Sequence, residues 1–249
     1  MKIRPATPED VPAVARIVLT ALRDEAPWKA FFPRMAETDP EYVEYCEAIL
    51  QSYFAPANKN SWLFLVVEIS AAEARLNPGP MIVAAAVWDI STSLGHGQGH
   101  KGRQSNTAAP MDLKQNHGPV FSQDNIPAKP VALSQAVSDG RRRHFSNHVP
   151  YIFLHILATR PDYQRQGYGK ALCNSGINLA KQKHASVCVQ TAPRGYVLFS
   201  GLGFADQGPI ALPAEPDADG ALVKAMVLDS HLIQRRSSIL YSLMRYITG

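Results

Sequence analysis

Between Gln164 and Lys170 the chain reads Gln164-Arg165-Gln166-Gly167-Tyr168-Gly169-Lys170, with two glycines set among basic and amide side chains. An apolar run, residues 151–159, precedes this stretch and breaks at Arg160-Pro161-Asp162, and a helix-like segment from Lys170 to about Lys183 follows. A strand, a tight basic turn and a helix together make a phosphate cradle. The helix N-terminus offers N–H groups without intrahelical partners and the positive end of the dipole. Gly167 and Gly169 allow close approach of the backbone to an anion, and Arg165 and Lys170 add charge. Two other phosphate loops are excluded. No GxxxxGK[ST] occurs, and Leu172 stands where a dinucleotide fingerprint needs its third glycine.

The flanking segments must hold that turn in place. Lys2–Ala6 reads as a short strand. Thr7-Pro8-Glu9-Asp10 then starts a helix, with a capping threonine, proline at the first position and acids in the first turn. Val11, Val14, Ile17, Val18 and Leu22 recur at helical spacing. Residues 39–53 are a second helical segment, and 62–69 and 81–90 are apolar, β-branched strand runs. After the cradle come a buried strand at 186–191, a short helix over 196–201 closed by Leu202-Gly203-Phe204, and a last strand at 222–228. Alternating strands and helices predict an α/β fold.

The combination of Leu157-Ala158-Thr159, Pro161, Tyr163 and Gln-x-x-Gly-x-Gly over Gln164–Gly169 resembles motif A of the GNAT family of N-acetyltransferases. Two more stretches agree: the opening IRPATPEDVPAVARI, and the strand, Ala-Pro-Arg-Gly and Leu-Gly-Phe unit over residues 186–204, whose start is similar to that of many fungal members. The resemblance covers most of residues 1–229. It implies a mixed, mostly antiparallel central sheet flanked by helices, with a long insert between the third and fourth strands. It also implies an acetyl-CoA-dependent transfer to a small amine within a ternary complex. Gln164, Arg165, Gln166, Gly167, Tyr168, Gly169 and Lys170 would hold the pyrophosphate. Leu157, Ala158 and Thr159 would hydrogen-bond the pantetheine arm where their strand splays from its neighbour, and Phe199 would pack on the cofactor.

Amine acetylation requires loss of a proton from an ammonium; with a pKa of about 10, only ~0.1% is neutral at pH 7. His155 is the candidate base, with an intrinsic pKa near 6.5. The alternative is a core histidine bonded to a neighbour. In an unbroken strand, residues 153, 155, 157 and 159 share one face. By resemblance to the arylalkylamine acetyltransferases, His155 matches the second histidine of a pair whose first position is Phe153 here, and the histone enzymes of the family place their glutamate at that same position. Phe153 is instead assigned to the acceptor wall. The family's acidic tyrosine is replaced by Phe199, so Tyr196, one turn earlier, is the candidate acid; cofactor packing or a core position is its other reading. Trp28, Phe31 and Phe32 either roof the acceptor pocket or pack in the core.

The 249 residues suffice for one domain with elaborations, and 46% apolar residues support a sizeable core. A net charge of +4 with scattered basic residues gives no nucleic-acid signature, and an anionic cofactor accounts for a modest positive bias. Cys46, Cys173 and Cys188 are too few and too far apart for a disulfide framework or a zinc ribbon, so they are expected as buried thiols. The absence of a leader and of a membrane-length apolar run sets the expectation of a cytoplasmic protein, monomeric or homodimeric. Residues 91–149 are polar and Gly/Ser/Asn-rich and are expected as a loosely packed excursion, with Arg141-Arg142-Arg143 solvated. Five histidines fall there, but Gly95, Gly97 and Gly99 disfavour a shared helix face, so no metal is expected. Residues 230–249 have imperfect helical spacing and are expected as a tail helix.

Overall fold

The computed structural model describes residues 1–25, 28, 39–58, 60–74, 79–93, 128–210, 212 and 223–234, with side chains of 128–134 excepted. The sheet has seven strands: β1 (Lys2–Pro5), β2 (Trp62–Ile69), β3 (Met81–Asp89), β4 (Tyr151–Thr159), β5 (Ser186–Thr191), β6 (Ala205–Ile210) and β7 (Val223–Leu228). Their order is β1-β2-β3-β4-β5-β7-β6. Every pairing is antiparallel except β4 with β5. This is the α/β architecture expected from the sequence.

Helices α1 (Val11–Leu22) and α2 (Pro40–Ser52) pack against β2, β3 and β4. The helical spacing of α1 puts Val11, Val14, Ala15, Ile17, Val18 and Leu19 inward. Asp10 fixes its entry: the carboxylate accepts from the Thr7 N–H at 2.8 Å and from Arg4 at 2.7 and 3.0 Å. In α2, the Asp39 side chain accepts from the Glu41 N–H, closing the N-terminus.

Helix α4 (Tyr168–Gln182) lies on the opposite face of the sheet. It comes so close that a Cβ on Gly176 would stand 2.3 Å from the ring of Trp88, which is fully buried. Helix α5 (Pro193–Leu202) ends at Gly203 with φ +86°, the left-handed C-terminal residue expected of the Leu-Gly-Phe unit.

The insert departs from expectation. Its last part forms α3 (Ala128–Phe145), which docks on the β5–β7–β6 half of the sheet. Phe145 is fully buried against Tyr151 and Phe153, and Gly140 lets α3 approach Ile210 closely. Arg141 is not solvated: it pairs with Asp89, whose side chain is 1% exposed. Arg142 and Arg143 are exposed as expected. Composition hid this helix because its anchors, Arg141 and Phe145, find their partners on distant strands. Residues 94–127, including His96, His100 and His117, and the tail beyond Gln234 lie outside the described residues.

Candidate active site

Strands β4 and β5 pair only from Tyr151↔Ser186 to Leu154↔Val189. Beyond Leu154, β4 runs on for five residues with no register partner on β5. The sheet therefore opens in a wedge, and a cleft of about 910 Å³ occupies it.

A bulge sits at the head of this wedge. Val87 faces Ile156 and Trp88 faces Leu154, so His155 is the extra residue on β4. The bulge breaks the alternation expected from an unbroken strand. His155 sits against Tyr53 and Trp62, while Leu157 and Thr159 turn to the other face, toward Gly169 of α4. Main-chain directions follow from one hydrogen bond. The Arg160 N–H donates to Val83 O at 2.8 Å, so Ile156 and Ala158 also address β3, whereas Leu157 and Thr159 address the wedge. Gln164 Nε2 donates to Thr159 O at 3.1 Å. The Leu157 amide and carbonyl are thus the main-chain groups of the expected Leu157–Thr159 trio that point into the gap beyond the last β5 pair.

The cradle forms at the outer end of the cleft. Arg165 and Gly167 both have positive φ, +63° and +88°. Helix α4 begins without a side-chain cap, and its first main-chain bond runs from the Ala171 N–H to Gly167 O. The N–H groups of Tyr168, Gly169 and Lys170 precede that bond and have no intrahelical acceptor. A Cβ on Gly167 would meet nothing within 4 Å, but at φ +88° any side chain is strained. A Cβ on Gly169 would make ordinary contacts of 3.6–3.9 Å with Thr159, Leu157 and Leu198. Gln164, Arg165, Gly167, Tyr168, Gly169 and Lys170 all line the cleft; Gln166 does not, its amide turning back to Asp162 O. The far wall is Thr191, Ala192, Gly195, Leu198 and Phe199, the last 3% exposed and packed on Phe204.

His155 lines the cleft. Both ring nitrogens are buried, and neither has a hydrogen-bond partner among the described residues; the same holds for the Tyr53 hydroxyl, whose ring centroid is 6.0 Å from that of His155. Buried polar atoms without partners mark a place where a ligand or water completes the bonding. Burial, helped by nearby Arg141 and opposed by Asp89, pushes the imidazole pKa down to about 4. The ring is therefore neutral near pH 7 and able to accept a proton.

Leu22, Glu25, Trp28, Tyr42, Tyr45 and Ile49 line the cleft on the α1–α2 side. Glu25 is the carboxylate among them, and sequence reading missed it. Its side chain is 13% exposed and meets Arg194 Nε at 3.4 Å across the cleft mouth. Burial raises its pKa, with Arg194 opposing. No local pattern announces the pair, since its halves lie on α1's trailing turn and on α5.

Two further expectations need correction. Phe153 does not reach the cleft; it packs under α3 against Phe145. Tyr196 does not line the cleft either. Its ring lies beneath Lys224, at 5.0 Å, on the β6–β7 side. Trp28 lines the cleft, and Phe31 and Phe32 lie outside the described residues. All three cysteines are buried free thiols. Among the described residues no helix is long and apolar enough to cross a membrane, and no cluster of metal-ligating side chains occurs.

Residues 98–195, which contain the cradle and β4, match the model of the Acetyltransferase (GNAT) family. No curated protein matches the chain. Among solved structures, a mosquito arylalkylamine N-acetyltransferase-like 5b superposes with a TM-score of 0.56 at 12% identity, covering 91% of this chain and 98% of that one. A Corynebacterium glutamicum protein, described as histone acetyltransferase HPA2 and related acetyltransferase, gives 0.52 at 20% identity, with 92% and 95% covered. A variant of the spermidine N-acetyltransferase SpeG of Vibrio cholerae gives 0.50 at 13%, with 95% and 99% covered. The chain has the GNAT fold. With that fold, the matched segment supports an acyltransferase enzyme.

Proposed function

We propose that the protein transfers the acetyl group of acetyl-CoA to a small primary amine that carries an apolar or aromatic body. The carrying observation is the wedge beyond Leu154↔Val189, which ends at the uncapped N-terminus of α4. Its parts fit coenzyme A: unpaired amides at Tyr168–Lys170 for the diphosphate, Arg165 and Lys170 for its charge, and the Leu157 main chain for the amide-bearing arm. Acetyl-CoA supplies the activated acyl group.

The residues then divide the work. Glu25 attracts the ammonium, and Trp28, Tyr42 and Tyr45 flank its body. His155, neutral in this setting, accepts the amine proton directly or through a water held with Tyr53. The Leu157 N–H stabilises negative charge developing on the thioester oxygen. Phe199 offers no proton, so the leaving thiolate takes one from water. The Glu25–Arg194 contact narrows the mouth, which favours a small amine over a protein chain.

The test is a steady-state assay with free-thiol detection over arylalkylamines, polyamines and lysine peptides. Turnover with small amines and none with peptides is the expected result. Preference for peptides would replace the small-amine reading with protein acetylation. Tight acetyl-CoA binding without turnover on any amine would favour a non-catalytic sensor, the reading suggested by Phe199 at the family's tyrosine position.

A further inference from the structure

The His155 ring is held between two aromatic side chains. Its centroid is 5.4 Å from Trp62 and 6.0 Å from Phe153, both edge-on. Each neighbour is tied to one half of a buried ion pair. On the Phe153 side, the Arg141 guanidinium lies over the ring at 4.5 Å. On the Trp62 side, Trp62 stands in register with Asp89 on β3. Arg141 Nη2 reaches Asp89 Oδ2 at 2.6 Å and Arg141 Nε reaches the Tyr151 hydroxyl at 3.1 Å. Asp89 Oδ1 accepts from the Ser91 N–H and hydroxyl at 2.9 and 2.6 Å. The carboxylate therefore has a complete set of partners and a fixed position.

We propose that the Arg141–Asp89 pair positions His155 and governs its proton balance, so that the insert helix α3 forms part of the acetyl-transfer site. Arg141 and Asp89 are positioning residues here: neither lines the cleft, and both act through the Phe153–His155–Trp62 stack. The inference rests on reading His155 as the group that faces the acceptor amine.

Charge reaches His155 from few directions. Other titratable groups in or beside this nest are Tyr53 and Cys46 at α2, Tyr151 on β4 and Cys188 on β5. Burial pushes all four upward, Cys46 to about 12. They stay neutral near pH 7, which leaves Arg141 and Asp89 as the charges acting on the ring. Arg141 disfavours the imidazolium and Asp89 favours it. The strength of each effect is set by how firmly the pair is held, and α3 supplies the holding through Phe145 and Gly140.

The two halves of the pair thus have opposite effects on one ring, which a purely structural salt bridge does not. The experiment is an NMR titration of the His155 imidazole in the full chain, assigned with His155→Gln, alongside the pH–rate profile. Arg141→Met is expected to raise the His155 pKa by about one unit, Asp89→Asn to lower it, and Arg141→Lys, which keeps the charge, to hold it near wild type. If Arg141→Met does not fold, Arg141→Gln, which can still donate to Asp89, should give the same upward shift. No movement of the ring, or movement in one direction for both halves, overturns the proposal. Because the ring titration does not require His155 to be catalytic, opposite NMR shifts with an unmoved acid limb of the rate would refute the His155 base and leave the ion-pair effect standing.

Discussion

Leu154 and Val189 are the last residues that join β4 to β5; one residue further on, His155 bulges and the strands part. The break creates unpaired main chain where the proposed function places the thioester. A continuous sheet would have used those groups in its own ladder. The Leu157 N–H is therefore expected to be protected from hydrogen exchange when acetyl-CoA binds. Exchange at Leu157 measured with and without the ligand should slow markedly. Unchanged exchange there would place the pantetheine arm elsewhere.

The two glycines of the cradle differ in what they tolerate. Gly167 sits at φ +88°, where a side chain is strained, beside the free amides that open α4. Gly169 has normal helical surroundings with room for a methyl group. Gly167→Val should weaken coenzyme A binding by at least about tenfold, equivalent to ~1.4 kcal/mol. Gly169→Ala should change it by less than about threefold. Equal losses would mean that the backbone at Gly167 is not what approaches the anion.

Replacing His155 by alanine should lower kcat by roughly 10²-fold if the imidazole takes the amine proton. The same residue links stability to pH. Unfolded, His155 takes its proton near 6.5; folded, near about 4. Between these values the unfolded chain binds more protons, so stability falls as pH drops through that window. The loss from this one group is at most about 3 kcal/mol. Urea melts at pH 7 and pH 4.5 should show a smaller drop for His155→Phe than for wild type. Equal drops would mean that the ring is not held neutral.

On the α1–α2 side of the cleft, Glu25→Gln should raise KM for a cationic amine by about tenfold and leave the affinity for coenzyme A unchanged. Arg194→Ala frees Glu25 and is expected to lower KM for the same amine. If KM did not respond to Glu25→Gln, the acceptor cation would bind away from this carboxylate.

Another substitution reports on the fold alone. Gly176→Ala would drive a methyl into Trp88, which has no solvent-facing space to retreat into. Overpacking of this kind costs about 1–3 kcal/mol. Thermal denaturation should register the loss, and an unaffected melting temperature would show that α4 can lift from β3 at little cost.

The cradle is legible in the sequence because its chemistry is contiguous: Gln164–Lys170 lie next to one another and next to the helix they open. The order of strands is legible for a related reason, since the apolar runs at 62–69, 81–89 and 223–228 are bounded by polar turns. Residues whose roles depend on distant partners are not. Glu25 and Arg194 meet only after the sheet has formed. Arg141 reads as one of three surface arginines until Asp89, 52 residues earlier, is placed beside it. The strand period assigns Leu157 and Thr159 to His155's side because a bulge adds one residue without changing composition. Helical spacing alone does not tell which side of α5 faces the wedge, and the side that carries Tyr196 faces Lys224 instead.

Calorimetric titration of the wild-type chain with coenzyme A tests the central claim most directly, with Gly167→Val and an unrelated nucleotide triphosphate as controls. Saturable heat for one coenzyme A per chain, weakened in Gly167→Val and missing for the triphosphate, is the expected result. No heat with coenzyme A, together with clear binding of the triphosphate, would contradict it.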